Sequence, residues 1–330
     1  MLAISKGNLF LRCECQRQTL LRRFSAVQRN RFQTAWLRHE KHHLFSPLAE
    51  KKLWTEESAQ NPPEYDFQAM KSNDRQIHDA ILSLEKHGLI LLRNCGTEGN
   101  FVLELANLMA AGPYPSVFGP AVAPVISMQS GHYSDFIYTA NEILLHTDLP
   151  VYRNVPPVLV MHSIETADWG GESLALDGFL AAEQLRQADP SAFNLLCEIP
   201  IPFRGTGNEY VDFYLEAWHP IIRTGKLGQL VQLCFNNSRA PRIALKHKDR
   251  LGDWYKAFYR LAHQIQRESN PLTFKRLLTP GSAIVVDNHR VLHGRSQMRL
   301  DNGKRRVLNT IYFDWDGVRA KGRTLEKKLS

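Results

Sequence analysis

The sequence predicts a mainly β protein with flanking helices, a barrel or jelly roll, and three observations support this. Short apolar runs separated by turn residues crowd the chain from residue 136 onward. Helical periodicity is concentrated before those runs and in insertions between them. No internal repeat or long low-complexity tract points to a solenoid or an extended chain.

The elements follow in order. Residues 32–60 mix aromatic and charged side chains and end at the breaker Asn61-Pro62-Pro63. From Ser72 to His87, Ile77, Ala80, Ile81 and Leu84 have helical spacing, and Gly88 stops the helix. Leu89–Leu92 reads as a buried strand, and Phe101–Ala110 as a second helix closed by Gly112-Pro113. Phe136–Thr139, Leu144–Asp148 and Val158–Ile164 read as short strands. Gly170-Gly171 and Asp177-Gly178 mark turns, and Phe179–Gln187 reads as a helix. Leu230–Phe235 reads as a strand. Leu251, Trp254, Tyr255, Phe258, Ala262 and Ile265 form an amphipathic stripe suited to covering a sheet from outside. Ser282–Asp287 and Arg306–Asp314 complete the strands.

Composition narrows the class. With 330 residues, 43% of them hydrophobic and 22% charged, the chain has the make-up of a globular enzyme. No apolar run is long enough to span a bilayer, so a membrane is not an expected partner. The net charge of +8 collects in two tails, with arginines crowding the start and Arg319, Lys321, Arg323, Lys327 and Lys328 the end. No zinc finger, RNA-recognition signature or basic heptad occurs, so nucleic acid is not expected either. Five scattered cysteines suggest no disulfide framework, and a reducing, intracellular compartment follows. The first forty residues contain only Glu14 and Glu40 as acids, and Arg22-Arg23-Phe24-Ser25 has the look of a presequence cleavage site. A mitochondrial address is one expectation; a solvated basic tail on a cytoplasmic protein is the other.

Two fragments carry chemistry: His146-Thr147-Asp148 and the run Asp287–Arg295. A His-x-Asp on one strand places imidazole and carboxylate on the same face, because strand side chains alternate with a period of two. A distant histidine on a facing strand would complete a 2-His-1-carboxylate set, which suits Fe(II) and leaves coordination positions open. In the last strand, alternation puts Arg306, Leu308, Thr310 and Tyr312 on one face. An arginine pointing into a barrel needs a partner, and its planar fork matches a carboxylate bidentately. Arg306 is therefore where a dicarboxylate would anchor. Arg295 and Arg305 are alternatives, with Arg305 alternating onto the opposite face, and Arg306 could instead pair with Asp314.

These residues resemble the iron(II)/2-oxoglutarate-dependent dioxygenases of the TauD type, and within them the γ-butyrobetaine and trimethyllysine hydroxylases. The matching runs are His146–Pro150, Gly170–Ser173 through Asp177–Phe179, Phe235-Asn236-Asn237, Asp287–Arg295 and Asp314-Trp315-Asp316. They keep their order over residues 32–316. The resemblance implies a double-stranded β-helix of the clavaminate synthase-like kind, with iron on His146, Asp148 and His293. It also implies 2-oxoglutarate held by Arg306, and O2 as the other co-substrate. The implied reaction hydroxylates an unactivated C–H of a small, cationic, betaine- or amino-acid-like metabolite and releases succinate and CO2. Related halogenases lack the acidic ligand, so Asp148 argues against halogenation.

Substrate positions match less fully. The family's aromatic cage binds trimethylammonium by cation–π attraction. Tyr138 and Tyr312 match it, Phe118 stands where a tyrosine is expected, and Leu149 replaces another. Residues 120–124 lack the expected tryptophan, and Asp135 stands in place of an asparagine. Asn236 and Asn237 either line the pocket or end a strand. His162, His219 and His289 read as hydrogen-bonded structural residues.

The family's N-terminal zinc domain has three cysteines and a histidine. Here only Cys13 and Cys15 match, and Gln28 falls at the histidine, so zinc is not expected. That domain contributes to dimerisation in the resembled enzymes, which leaves a homodimer as an open expectation. The organisation expected is 1–31 as basic tail, presequence or vestigial zinc domain, 32–63 as remnant strand and linker, 64–318 as dioxygenase domain and 319–330 as basic tail. The rivals to a small-molecule hydroxylase are a non-catalytic metal-binding protein of the same fold and a hydroxylase acting on protein or nucleic acid. No His-Glu-x-x-His occurs to support a zinc hydrolase.

Overall fold

Alternation along the strands sorts apolar side chains into two layers. In a computed structural model, which describes residues 47–330 except 99, 118–122, 129–135, 208–211, 237–244, 268 and 302–303, ten strands form two main sheets. In chain order they are β1 (Glu64–Asp66), β2 (Leu89–Arg93), β3 (Ala123–Met128), β4 (Ile143–His146), β5 (Val158–Glu165), β6 (Ser173–Asp177), β7 (Phe274–Arg276), β8 (Ala283–Asp287), β9 (Val291–Arg295) and β10 (Arg305–Phe313). The larger sheet runs β1-β2-β8-β5-β10-β3 and the smaller β7-β6-β9-β4. All pairings are antiparallel except β1 with β2. The longer helices are α1 (Asp74–His87), α2 (Phe101–Met109), α3 (Gly178–Ala188), α4 (Pro190–Glu198), α5 (Leu251–Ile265) and α6 (Trp315–Leu329).

One face of the larger sheet, with Ile90, Leu92, Val158, Val160, Val285, Ile311 and Phe313, packs against α1, α2 and α6. The alternate residues Leu89, Leu91, Leu159, Met161, Ile284, Val286, Leu308 and Tyr312 join Ala175, Phe274 and Val291 of the smaller sheet in a second core. The far side of the smaller sheet is covered by α3, α4 and α5, with Trp254, Phe258 and Leu261 buried against Leu176 and Leu292. The result is two facing sheets between helical layers, with jelly-roll character.

Local sequence accounts for the element ends. Asn73 caps α1, its side chain accepting from the Arg75 and Gln76 amides. Gly88 ends it in the left-handed region at φ 77°, and a Cβ there would lie 2.8 Å from Val291 Cγ2. Asp177 caps α3 and also meets the buried Arg290 guanidinium bidentately, at 3.0 Å from Nε and 2.7 Å from Nη2. Arg290 further donates to the Lys86 and Lys52 carbonyls, so one side chain ties β9, α1 and the segment before α1 together.

Several expectations are corrected. Residues 319–330 are not a solvated tail: they belong to α6, whose Val318 and Leu325 are buried on α1, with Arg319 paired to buried Glu85. Lys327 and Lys328 are exposed while an apolar stripe faces in. Residues 48–63 are not a bare linker, because Trp54 is buried and donates from Nε1 to the His87 carbonyl at 2.6 Å. Leu48–Ser330 is one compact unit, so boundaries at 64 and 318 fall inside it. Phe136–Tyr138 is a 3-10 turn rather than a strand, and Leu230–Leu233 ends two residues earlier than expected. The Cys13, Cys15 and Gln28 positions and the presequence lie outside the described residues. Among those described, no helix is long and apolar enough to cross a membrane.

Two measurements test this packing. Arg290→Ala would leave the Asp177 carboxylate buried and uncompensated, and urea unfolding should show a loss of about 3–5 kcal/mol. Burial also holds His162, His219 and His289 below the usual histidine value. Each therefore stays neutral in the fold while the unfolded chain takes up protons below pH about 6.5. Their stability contribution is present above that pH and lost as pH falls toward the folded values, so the urea midpoint should drop between pH 7.5 and 5.5. His289→Gln, which keeps a donor for the Val155 carbonyl, should flatten that slope.

Candidate iron and co-substrate site

His146 closes β4, and His293 lies directly opposite it in β9, as register partners of an antiparallel pair. Adjacent strands, not facing ones, therefore bring the two imidazoles together, with ring centroids 4.5 Å apart. The β9 approach to β4 needs Gly294, where a Cβ would lie 2.5 Å from the Ile143 carbonyl oxygen. His293 does not belong to the apolar strand β8 that precedes it. A turn at 288–290 intervenes and delivers it on the other sheet.

Asp148 lies two residues beyond the end of β4, where no ladder holds it. Its Oδ1 is 3.2 Å from His146 Nε2 and 3.6 Å from His293 Nε2. One ligand atom from each of the three residues lies within 4.8 Å of the others. His146 Nδ1 lies 2.8 Å from the Leu144 carbonyl, a contact that places the proton on Nδ1 and leaves Nε2 as a lone-pair donor. Burial opposes ionisation of Asp148, yet His293, His146 and the Tyr312 hydroxyl together hold its carboxyl well below the usual range. Burial pushes His293 down to about 4, so it is a neutral imidazole at physiological pH. Two imidazoles and one carboxylate, converging on one point, fit a divalent iron.

The backbone around these ligands is gripped by side-chain amides, of which the sequence had named Asn236 as a candidate but not Asn288 or Gln266. Asn288 Oδ1 accepts from the Asp148 amide at 2.7 Å, and its Nδ2 donates to the Asp148 carbonyl at 3.1 Å and the Pro156 carbonyl at 2.8 Å. Gln266, just after α5, does the same for Leu145, accepting from its amide at 3.2 Å and donating to its carbonyl at 2.8 Å. Thr147 exchanges hydrogen bonds with Phe235, and Asn236 Nδ2 donates to the Thr147 carbonyl at 2.9 Å. Asn288 and Asn236 sat inside runs already singled out, but single-sequence reading offers no signal for which backbone atoms an amide will meet.

A cavity opens from the triad, walled by Leu149, Leu159, Met161, Leu308, Thr310, Tyr138, Tyr312 and Asn236, with Arg306 in its lining. Arg306, Leu308, Thr310 and Tyr312 line it together, as alternation along β10 requires. Arg306 is 6% exposed, and burial followed by the nearby Arg295 pushes its guanidinium down to about 9. Among the described residues, none pairs with it. Asp314 instead caps α6, and Arg305 pairs with Glu165 on the opposite face at 2.8 Å. Tyr312 differs from a plain cage ring, since its hydroxyl donates to Asp148 Oδ2 at 2.7 Å. Phe118, Asp135 and Asn237 lie outside the described residues.

Comparison with known proteins meets this geometry. The profile of the family described as "Taurine catabolism dioxygenase TauD, TfdA family" matches residues 45–312. The chain belongs to the TauD/TfdA family of iron(II)- and 2-oxoglutarate-dependent dioxygenases. It is similar to γ-butyrobetaine dioxygenase of Homo sapiens, at 28% identity over 307 residues, covering 90% of this chain and 77% of that protein. It is also similar to trimethyllysine dioxygenase of Meyerozyma guilliermondii, at 26% identity over 78% of this chain and 64% of that one. In fold it resembles a taurine dioxygenase from Burkholderia xenovorans, with a TM-score of 0.56 and 14% identity over 80% of this chain and 89% of that chain.

For this dioxygenase, Asn288→Ala should free the Asp148 backbone while leaving all three ligand side chains in place. Loss of such an outer partner lowers metal affinity by about 10–100-fold, which Mn(II) titration followed by electron paramagnetic resonance would read.

Proposed function

We propose that this dioxygenase hydroxylates an unactivated C–H of a small cationic metabolite, betaine- or amino-acid-like, with release of succinate and CO2. The observation that carries the reading is Arg306, a buried guanidinium in the cavity lining with no partner among the described residues. An unpaired buried charge is costly unless a ligand supplies the counter-charge. A planar fork is complementary to the distal carboxylate of 2-oxoglutarate. The two facing sheets support reading the core as a double-stranded β-helix.

His146, Asp148 and His293 would hold iron, which when bound supplies oxygen activation coupled to decarboxylation of 2-oxoglutarate. The chain's own residues do the rest. Tyr312 orients the Asp148 carboxylate through its hydroxyl. Leu149, Leu159, Met161 and Leu308 keep water from the cavity wall, which strengthens every polar contact inside it. The Tyr138 ring and the Asp148 side of the cavity suit an ammonium group, by cation–π and charge attraction. Phe118, Asp135, Asn236 and Asn237 complete the proposed substrate set. The relatives named for γ-butyrobetaine and trimethyllysine are what points to a quaternary or primary amine. A mitochondrial setting belongs to the same proposal, supported by the basic N-terminus and by the Bos taurus relative described as mitochondrial.

The test is succinate formation by iron(II)-loaded protein with 2-oxoglutarate and O2, in the presence of γ-butyrobetaine, trimethyllysine or other amine-bearing acids. Stimulation by one compound, with matching hydroxylated product and none from Asp148→Ala, is the expected result. A protein that binds neither iron nor 2-oxoglutarate would overturn the proposal. Arg306→Leu should raise the KM for 2-oxoglutarate by about 10–100-fold, the equivalent of losing a charge-assisted contact of about 1.5–3 kcal/mol.

A further inference from the structure

Arg295 lies two residues past His293 on β9 and lines the same cavity. It is 2% exposed, and the ordinary reason to bury a guanidinium, a carboxylate, is missing among the described residues. Its contacts are with neutral acceptors. Nη1 donates to Ser127 Oγ at 3.0 Å and to the Ile137 carbonyl at 3.4 Å. Nη2 donates to the Thr139 carbonyl at 2.7 Å and the Asn141 carbonyl at 2.5 Å. Ser127 Oγ in turn donates to the Ile137 carbonyl at 3.0 Å. Nε is buried without a partner, and the four N–H groups of the terminal fork are all taken within the fold, so the fork has none left for a ligand. That removes it as an alternative anchor for the co-substrate.

The acceptors share a pattern. Ser127 is the last residue but one of β3, while Ile137, Thr139 and Asn141 belong to the stretch that leads into β4. They flank the chain's passage from one sheet to the other, and Tyr138 sits between two of them. Three carbonyls and a hydroxyl around one planar fork fix both the distance and the tilt of that stretch, which a lysine's single point charge would not.

We propose that Arg295 is a positioning residue, a neutral-acceptor clamp that sets the Tyr138 turn against the strand carrying His293. Through it, the substrate wall and the iron ligand keep one fixed spacing. This rests on the cavity being the substrate site. Misplacement of a bound substrate by about 1 Å costs on the order of a hundredfold in rate, so such a clamp has a catalytic consequence without touching substrate.

The test uses the full chain loaded with iron(II) and 2-oxoglutarate, as wild type, Arg295→Ala and Arg295→Lys. Hydrogen–deuterium exchange should rise across 136–142 in Arg295→Ala, stay unchanged across β5 and β10, and fall back when millimolar guanidinium fills the vacated space. With γ-butyrobetaine and trimethyllysine as probes, the KM for the compound that wild type accepts should rise about tenfold or more while the KM for 2-oxoglutarate holds. Arg295→Lys should fall between the two. Unchanged exchange in 136–142 would overturn the clamp. So would exchange rising equally over β5 and β10, which would mark a residue that merely holds the fold. A 2-oxoglutarate KM raised as far as in Arg306→Leu would make Arg295 a co-substrate anchor and also overturn it. If the protein binds neither iron nor 2-oxoglutarate, the proposed function fails while the exchange result still decides the clamp.

Discussion

The site depends on the grip of Asn288 on Asp148. Asp148 is the one triad member outside a strand, so nothing in the β ladder fixes it. Asn288 supplies the missing ladder with a side-chain amide, which presents a donor and an acceptor as a neighbouring peptide would. It does so from the turn between β8 and β9, the turn that also delivers His293. One short segment therefore sets the spacing between two ligands that lie far apart in sequence. Gln266 repeats the device on the free edge of β4 and steadies His146 through Leu145.

Three buried arginines show how differently a guanidinium can be accommodated within one core. Arg290 is matched by a carboxylate, Asp177, and joins the helical layer to the smaller sheet. Arg295 is matched by carbonyls and a hydroxyl and holds a turn. Arg306 has no partner among the described residues and faces the cavity. The first two have their terminal N–H groups engaged within the fold, which suits structural or positioning groups. The third has its counter-charge left to be supplied from the cavity, and that is the ground on which a binding role is proposed for it.

Much of the architecture was legible before any coordinates. The stripe Trp254, Phe258 and Ile265 became the buried face of α5, and Leu89–Leu92 became a central strand. Such runs are decided by hydrophobic period, a local property. Where the reading went astray, a long-range contact had won. The basic C-terminus looked solvated because its charges outnumber Val318 and Leu325, yet those few apolar residues repeat at helical spacing and meet α1. Phe136–Tyr138 had strand-like composition, but the Ile137 and Thr139 carbonyls are taken by Arg295, and the segment curls into a turn. The strand Ala123–Met128 went unread because Pro124 argues against a central strand; it lies at the sheet edge, where proline costs little.

By itself the sequence determined that imidazole and carboxylate are offered two residues apart at His146 and Asp148, that Arg306 shares a face with Tyr312, and that apolar strands lie beside both; His293 came from the family resemblance. The first three follow from side-chain type and from a period of two, which need no partner to be known. Only the tertiary structure decided that His293 reaches His146 as a ladder neighbour, that Tyr312 spends its hydroxyl on Asp148, and that Arg295 is closed to ligand while Arg306 is open. Those are questions of which donor meets which acceptor across more than a hundred residues of chain. Hydrogen-bond partners at that separation are set by sheet register and by the turns between sheets, and neither is written in the residues that end up touching.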